Sequence, residues 1–279
     1  MLTKPGIIKS NVMVGAAAFL FASQGNIDIW KLLAVVIGTS CIIASGCVVN
    51  NYTDREIDKK MNRTKKRALV TGQISTQHAL LFAAVLGAIG VGALGFFVNI
   101  LTLTVGIVGF FAYTVLYGIA KRGSVHGTLV GTISGATPPL AGYTAVTNTI
   151  DHTAILLFAT LVIWQMPHFF AIALFRLQDY KNAKIPVLPA VRGIRTTKIQ
   201  MTLYVLAFTL VAPLLSVLGD ASYIYGIVML LVGAWWLYTT AKGFRSDNYE
   251  RWARKVFGMS LIALVMFSLM LSIDSFLPR

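Results

Sequence analysis

The sequence predicts an all-α polytopic membrane protein with nine transmembrane helices. Hydrophobic residues make up 56% of the 279 residues and charged residues only 12%, whereas a soluble domain is about 25% charged. The mean hydropathy is +0.73. Apolar runs of membrane-spanning length recur along the chain, and basic residues gather in alternate connections between them. These three observations exclude an ordinary soluble domain.

Nine apolar windows are each long enough to cross a bilayer, which takes about 20 residues of helix. They lie near residues 7–25, 29–50, 79–97, 100–119, 125–146, 153–175, 200–218, 222–241 and 256–276. Together they predict that residues 1–279 form a single transmembrane domain.

The basic residues predict the orientation of these helices. All 24 Lys and Arg residues except Lys31 and Arg279 precede the first window or follow an even-numbered one. The positive-inside rule therefore places the N-terminus in the cytoplasm and the C-terminus outside, and we expect a bacterial cytoplasmic membrane. The net charge of +14 is then a topology signal, and nucleic-acid binding is not indicated. The two longest connections also face the cytoplasm, which predicts function on that side.

A ladder of oxygen-bearing side chains follows the second window. Asn50, Asp54 and Asp58 are spaced four apart, so on a continuing helix they fall within roughly 80° of one another. Two carboxylates and an amide suit Mg²⁺, which adds water and phosphate oxygens. Arg63 and Arg67 follow and can grip phosphate in a forked geometry. The alternative is that these carboxylates only balance the basic charges in a solvated loop. However, placing carboxylates on the last turn of an apolar helix costs free energy, which favours a functional role for them.

Aromatic residues in the fourth and fifth windows are candidates for a cavity wall. The fifth window contains GTISGATPPLAGY (Gly131–Tyr143), whose glycines allow close helix approach and whose prolines predict a kink. Tyr143, and Tyr113 with Tyr117 in the fourth window, either pack between helices or face a cavity. Their π faces would suit an allylic cation.

Two histidines are candidates for contact with a haem. His168 lies in WQMPHFF, about two turns before Arg176 at the cytoplasmic end of the sixth window. It is either a hydrogen-bond partner between helices or an axial or positioning contact, because imidazole is a common haem ligand. His126, just after Arg122, is the competing candidate.

The connection after the sixth window repeats the layout of the first acidic stretch. In DYKNAKIPVLPAVRG, the carboxylate of Asp179 precedes Lys184 and other basic residues. We expect the two connections to meet over one cytoplasmic cavity, where two half-sites could hold one diphosphate.

Four stretches together resemble one family of enzymes. These are Asn50–Arg67 with its continuation ALVTGQIS, the WQMPHF run, DYKNAKIPVLP and SGATPPLAGY. They are similar to the protohaem IX farnesyltransferase (haem O synthase) family, within the UbiA superfamily of intramembrane prenyltransferases. The likeness spans nearly the whole chain.

The resemblance implies helices around a lateral, lipid-open cavity in which Asn50, Asp54 and Asp58 hold farnesyl diphosphate through Mg²⁺. Arg63, Arg67 and Lys184 would stabilise the departing diphosphate. A vinyl group of haem b would attack the farnesyl cation. Water would then add to the resulting cation and give the hydroxyethylfarnesyl side chain of haem O.

Many superfamily members carry a second DxxxD motif in the connection after the sixth helix. Here Ala183 stands four residues after Asp179, so Asp179 would coordinate alone or orient Lys184 or Arg63.

Two other functions are alternatives to farnesyl transfer to haem, whereas the protein partners follow from it. The alternatives are a prenyltransferase for an aromatic quinone precursor and a secondary transporter, whose coupling-ion carboxylates would lie at the bilayer midplane. Haem A synthase or a terminal oxidase assembly would be the protein partners.

Overall fold

The computed structural model describes residues 2–279, and those residues form helices and turns without a β-strand. The helices are α1 (Pro5–Ser23), α2 (Ile29–Thr53), α3 (Arg55–Asp58), α4 (Thr76–Phe97), α5 (Ile100–Phe111), α6 (Tyr117–Gly123), α7 (Gly127–Thr147), α8 (His152–Phe175), α9 (Leu177–Asn182), α10 (Leu188–Val191), α11 (Gly193–Val211), α12 (Leu214–Val217), α13 (Tyr223–Ala241) and α14 (Tyr249–Ile273). A π-helical turn, Ala112–Leu116, joins α5 to α6. The predicted all-α class is confirmed.

Eight helical segments within residues 2–279 are long and apolar enough to cross a membrane. Each overlaps a predicted window, although Gly193–Val217 and Tyr249–Phe276 begin seven residues before the windows 200–218 and 256–276. The fifth window corresponds to α7, which has 21 residues but is rich in Gly and Thr and so falls outside this set. The count of nine crossings and the sides of the two termini therefore stay predictions.

Six of the long helices begin at a side chain that accepts a hydrogen bond from the first turn. This oxygen satisfies a backbone N–H that the helix itself leaves free. The capping residues are Asp28, Ser75, Asn99, Asp151, Ser222 and Asn248. Short polar connections therefore fix where these helices start.

Helix α7 packs closely against α1, α5 and α8 because its small residues let backbones approach. A Cβ on Gly131 would lie 2.9 Å from the ring of Tyr117. The helix continues through Pro138 and Pro139. Pro138 cannot donate to the carbonyl of Ser134, and the Thr137 hydroxyl donates to that oxygen instead at 2.8 Å.

Candidate active site

A cavity of about 430 Å³ lies among α1, α2, α5, α6, α7 and α8. Its polar end is formed where α2 and α6 finish. Apolar and aromatic side chains line the remainder, including Ile42, Phe110 and Trp164. A cavity that is charged at one end and apolar at the other suits an amphipathic ligand with an anionic head.

The ladder Asn50, Asp54 and Asp58 lies along one wall of this cavity. Helix α2 ends at Thr53, yet the Asp54 N–H donates to the Asn50 carbonyl at 3.0 Å and the Asp58 N–H to the Asp54 carbonyl at 2.8 Å. These two bonds keep the spacing of one helical turn across the junction of α2 and α3, and all three side chains line the cavity. All three residues are buried, so the structure brings them together as the spacing predicted.

Each carboxylate of the ladder is paired with basic side chains. Lys121 contacts the Asp54 carboxylate, and the Arg122 guanidinium lies 3.4 Å from its other oxygen. Arg67 lies 2.5 Å from Asp58. Such pairing offsets the large cost of burying isolated charges.

Two residues near the ladder were not predicted from the sequence as site residues. Asn51 accepts a hydrogen bond from Arg67 at 3.0 Å and so orients that guanidinium. Lys121 was assigned only to the positive-inside pattern. The sequence feature that could have indicated a site role for Lys121 is its position in a basic pair at the end of an apolar helix.

Lys4 is a further basic residue at the polar end, and it too was not predicted from the sequence as a site residue. Its ammonium group donates to the Asn50 Oδ1 atom at 2.6 Å and to the Tyr113 hydroxyl at 3.0 Å. Burial lowers the pKa of Lys4 to about 8. The Asn50 amide nitrogen is buried without a hydrogen-bond partner among residues 2–279, so the Asn50 side chain still has an unused donor.

The π-helical turn and the first residue of α6 present two predicted aromatic residues to the cavity. The rings of Tyr113 and Tyr117 are stacked, with centroids 5.9 Å apart, and both line the cavity. The Tyr113 hydroxyl also lies 3.3 Å from the Asn50 Oδ1 atom. π-Helical turns within α-helices are frequent at functional sites.

His168 lines the cavity from α8. Its Nδ1 atom lies 2.8 Å from the Ser260 hydroxyl on α14. The sequence left two alternatives for His168, a hydrogen bond between helices and an axial or positioning contact with haem. The structure contains the hydrogen bond, and the haem contact stays a prediction.

Tyr143 and His126 do not line this cavity. The Tyr143 hydroxyl donates to the Asp151 carboxylate at 2.8 Å, near the far end of α7. His126 is exposed in the connection that precedes α7. Val125 and Gly127, on either side of His126, do line the cavity. Contact of Tyr143 or His126 with a substrate stays a prediction.

The connection after α8 meets the first acidic stretch through different residues from those predicted. Asp179 is buried outside the cavity lining, and Lys184 is exposed in a left-handed backbone conformation with φ of 54°. Tyr180 lines the cavity instead, together with Arg63 from the first stretch. The two connections do cover one cavity, but the expected second charged half-site does not face it.

The ladder is the part of the chain that could hold a cation. Within residues 2–279 there is no group of three or more His, Cys, Asp and Glu side chains placed to hold a metal ion. Two buried carboxylates and an amide oxygen on one cavity wall nevertheless fit Mg²⁺, which takes its remaining ligands from water and phosphate.

Comparisons with known proteins agree with this architecture. A protoheme IX farnesyltransferase of Cronobacter sakazakii is 46% identical over 99% of this chain and 94% of the relative. Protoheme IX farnesyltransferase 2 of Pseudomonas entomophila is 48% identical over 98% of this chain and 93% of its own length. The solved structure of a UbiA homolog from Archaeoglobus fulgidus, bound to GPP and Mg²⁺, superposes with a TM-score of 0.72 at 11% identity and covers 95% of this chain and 96% of that chain.

A sequence profile of the UbiA prenyltransferase family matches residues 11–265. The profile covers most of the chain, and the two farnesyltransferase relatives align over nearly all of it. This chain therefore belongs to the UbiA prenyltransferase family.

Proposed function

We propose that this protein transfers the farnesyl group of farnesyl diphosphate to a vinyl group of haem b, with addition of water, and so forms haem O and diphosphate. The observation that carries the proposal is the pair of buried carboxylates, Asp54 and Asp58, at the charged end of a largely apolar cavity. The names of the relatives supply the two substrates. They do not favour the quinone-precursor or transporter alternatives.

The charged end would bind the diphosphate. Asn50, Asp54 and Asp58 would hold Mg²⁺, which when bound neutralises diphosphate charge. Arg63, Arg67 and Lys121 would bind the same group, since all three line the cavity. When the allylic C–O bond breaks, both electrons leave with the diphosphate, so these cations act most strongly on the leaving group as its charge develops.

The remainder of the cavity would hold the farnesyl chain and the acceptor. Tyr113 and Tyr117 would flank the allylic cation with their ring faces. The vinyl π electrons of haem b then form the new C–C bond, and the resulting cation takes up water and releases a proton. His168, which lines the cavity from α8, would contact the haem.

The location and the partners follow from this reaction. The apolar helices identify a multi-pass membrane protein, and we place it in the bacterial inner membrane as a single prenyltransferase domain spanning residues 1–279. Haem O would pass to haem A synthase or to assembly of a terminal oxidase.

Purified protein in lipid nanodiscs would test the proposal. With haem b, farnesyl diphosphate and Mg²⁺, we expect equimolar diphosphate and a haem whose mass has increased by one farnesyl group and one hydroxyl group. Asp54→Asn and Asp58→Asn should each abolish both products. The matched control is Glu56→Gln, because Glu56 lies in the same stretch but is exposed and pairs only with basic neighbours on the surface. Diphosphate release with unmodified haem would refute the assignment of the acceptor.

A further inference from the structure

Four side chains from α8 and α14 form a rigid cluster beside the cavity: Trp164, His168, Phe257 and Ser260. The His168 ring stacks on Trp164, with centroids 4.8 Å apart and planes 25° apart, and packs against Phe257, with centroids 4.8 Å apart and planes 34° apart. The Trp164 ring is itself fixed, because its Nε1–H donates to the Ser260 main-chain carbonyl at 2.8 Å. The imidazole therefore has little freedom to rotate.

The hydrogen bonds of Ser260 determine which nitrogen of His168 carries the proton. The Ser260 hydroxyl lies 2.6 Å from the Phe257 carbonyl oxygen. A carbonyl only accepts, so the single hydroxyl proton must lie between these two oxygens. The hydroxyl oxygen must then accept from the Nδ1 atom of His168, 2.8 Å away. The imidazole is the Nδ1–H tautomer.

The other ring nitrogen is left with a lone pair. In a neutral imidazole with its proton on Nδ1, the Nε2 atom is an acceptor or a metal ligand, and an imidazolium inside a membrane helix would be costly. Among residues 2–279 the Nε2 atom has no hydrogen-bond partner, and it is not one of the enclosed unpaired atoms. Its residue lines the cavity.

Three aromatic rings and one hydroxyl surround His168. Trp164 stacks on the imidazole, Phe257 packs at 34° to it and Phe169 meets it edge-on, while Ser260 occupies the Nδ1 edge. The Nε2 lone pair lies in the ring plane and points away from the Nδ1 edge that Ser260 holds. Axial ligation of an iron uses this in-plane direction.

We propose that His168 binds the iron of haem b through its Nε2 atom and that Ser260 is the positioning residue that sets this tautomer. The inference rests on the proposed function, since haem b is there the acceptor substrate. It assigns to α8 and α14 the task of holding the macrocycle, while the charged end of the cavity holds the diphosphate. Partners of a ligating histidine typically change metal affinity by about 10- to 100-fold.

Haem titration of the full-length protein in nanodiscs would test this assignment without turnover. His168→Ala should abolish the imidazole-ligated Soret band, and added imidazole should restore it. Ser260→Ala removes only the hydroxyl, since Trp164 bonds to the main chain, so it should weaken haem affinity about 10- to 100-fold and lower the Fe–His stretching frequency in the ferrous state. The matched control is Ser268→Ala, a buried hydroxyl on α14 that donates only to the Leu264 carbonyl, at 2.9 Å.

Several outcomes would overturn the inference. An unchanged Soret band in His168→Ala would remove His168 as the ligand. If Ser260→Ala kept both wild-type affinity and the wild-type stretching frequency, Ser260 would have no positioning role. These failures are distinct from failure of the proposed function, because they concern haem binding by variants, whereas the proposed function fails if the wild-type protein forms no haem O from haem b and farnesyl diphosphate.

Discussion

The ion pair between Lys121 and Asp54 offers a quantitative test of how the site is held together. Both side chains are about one-tenth exposed, and removing one partner of a buried pair costs about 3–5 kcal/mol, because it leaves a buried charge uncompensated. Arg122 also reaches Asp54, at 3.4 Å, but its side chain is 48% exposed. We therefore expect Lys121→Met to lower the free energy of unfolding by about 3 kcal/mol, the lower end of that range.

A double-mutant cycle would isolate this pair. Asp54→Asn together with Lys121→Met removes both charges, so the double variant should be more stable than the sum of the single changes predicts, by up to about 3 kcal/mol. Reversible unfolding in mixed micelles supplies the free energies. The control cycle uses Glu56 and Lys59, an exposed pair 2.9 Å apart, whose coupling should be much weaker because solvent screens both charges.

Two results would refute this reasoning. Additivity of the Asp54 and Lys121 changes within about 0.5 kcal/mol would show that the two charges do not compensate each other. Full activity of the double variant would show that the pair is only structural. We expect the double variant to be stable and inactive, since it would lack both a Mg²⁺ ligand and a diphosphate contact.

The remaining predictions concern the diphosphate site, a helix contact and a tyrosine outside the cavity. Arg67→Lys should lower kcat more than it raises KM for farnesyl diphosphate, since a point charge cannot reproduce the forked contact; steady-state rates with unchanged kcat would contradict this. Gly142→Ala should cost about 1–3 kcal/mol by overpacking against the α1 backbone, whereas Gly258→Ala, with no atom within 4 Å of the new Cβ, should not destabilise; equal thermal stability of the two variants would be inconsistent with the packing. Tyr143→Phe should lose about 1 kcal/mol of stability with its bond to Asp151 but keep wild-type turnover, and a kcat loss beyond tenfold would return Tyr143 to the site.

The features that the sequence predicted well are those set by local geometry. Composition and window length predicted the helices, and the spacing of four predicted the shared face of Asn50, Asp54 and Asp58. The shared face depends on the helix period alone. For Tyr113 and Tyr117 the sequence left packing between helices and a cavity wall as alternatives, and in the structure both line the cavity.

The features that were missed depend on packing between distant segments. Lys4 reaches Asn50 only because α1 lies beside α2, and Lys121 reaches Asp54 only because α6 ends at the same level as α2. No spacing within one segment encodes these contacts. Asp179 lies outside the cavity lining whereas the next residue, Tyr180, belongs to it, because successive residues of a helix are about 100° apart.

The net charge of the cavity lining is consistent with an anionic substrate. Its lining contains four basic residues, Lys4, Arg63, Arg67 and Lys121, but only two acidic ones, Asp54 and Asp58. The carboxylates thus offset half of the positive charge, and the excess favours an anion. A diphosphate ester carries more negative charge than one Mg²⁺ neutralises, so the metal–diphosphate complex remains an anion that this excess can bind. The acidic ladder and the basic side chains are therefore both needed: the ladder alone would attract only the cation, and the basic residues alone would be costly to bury.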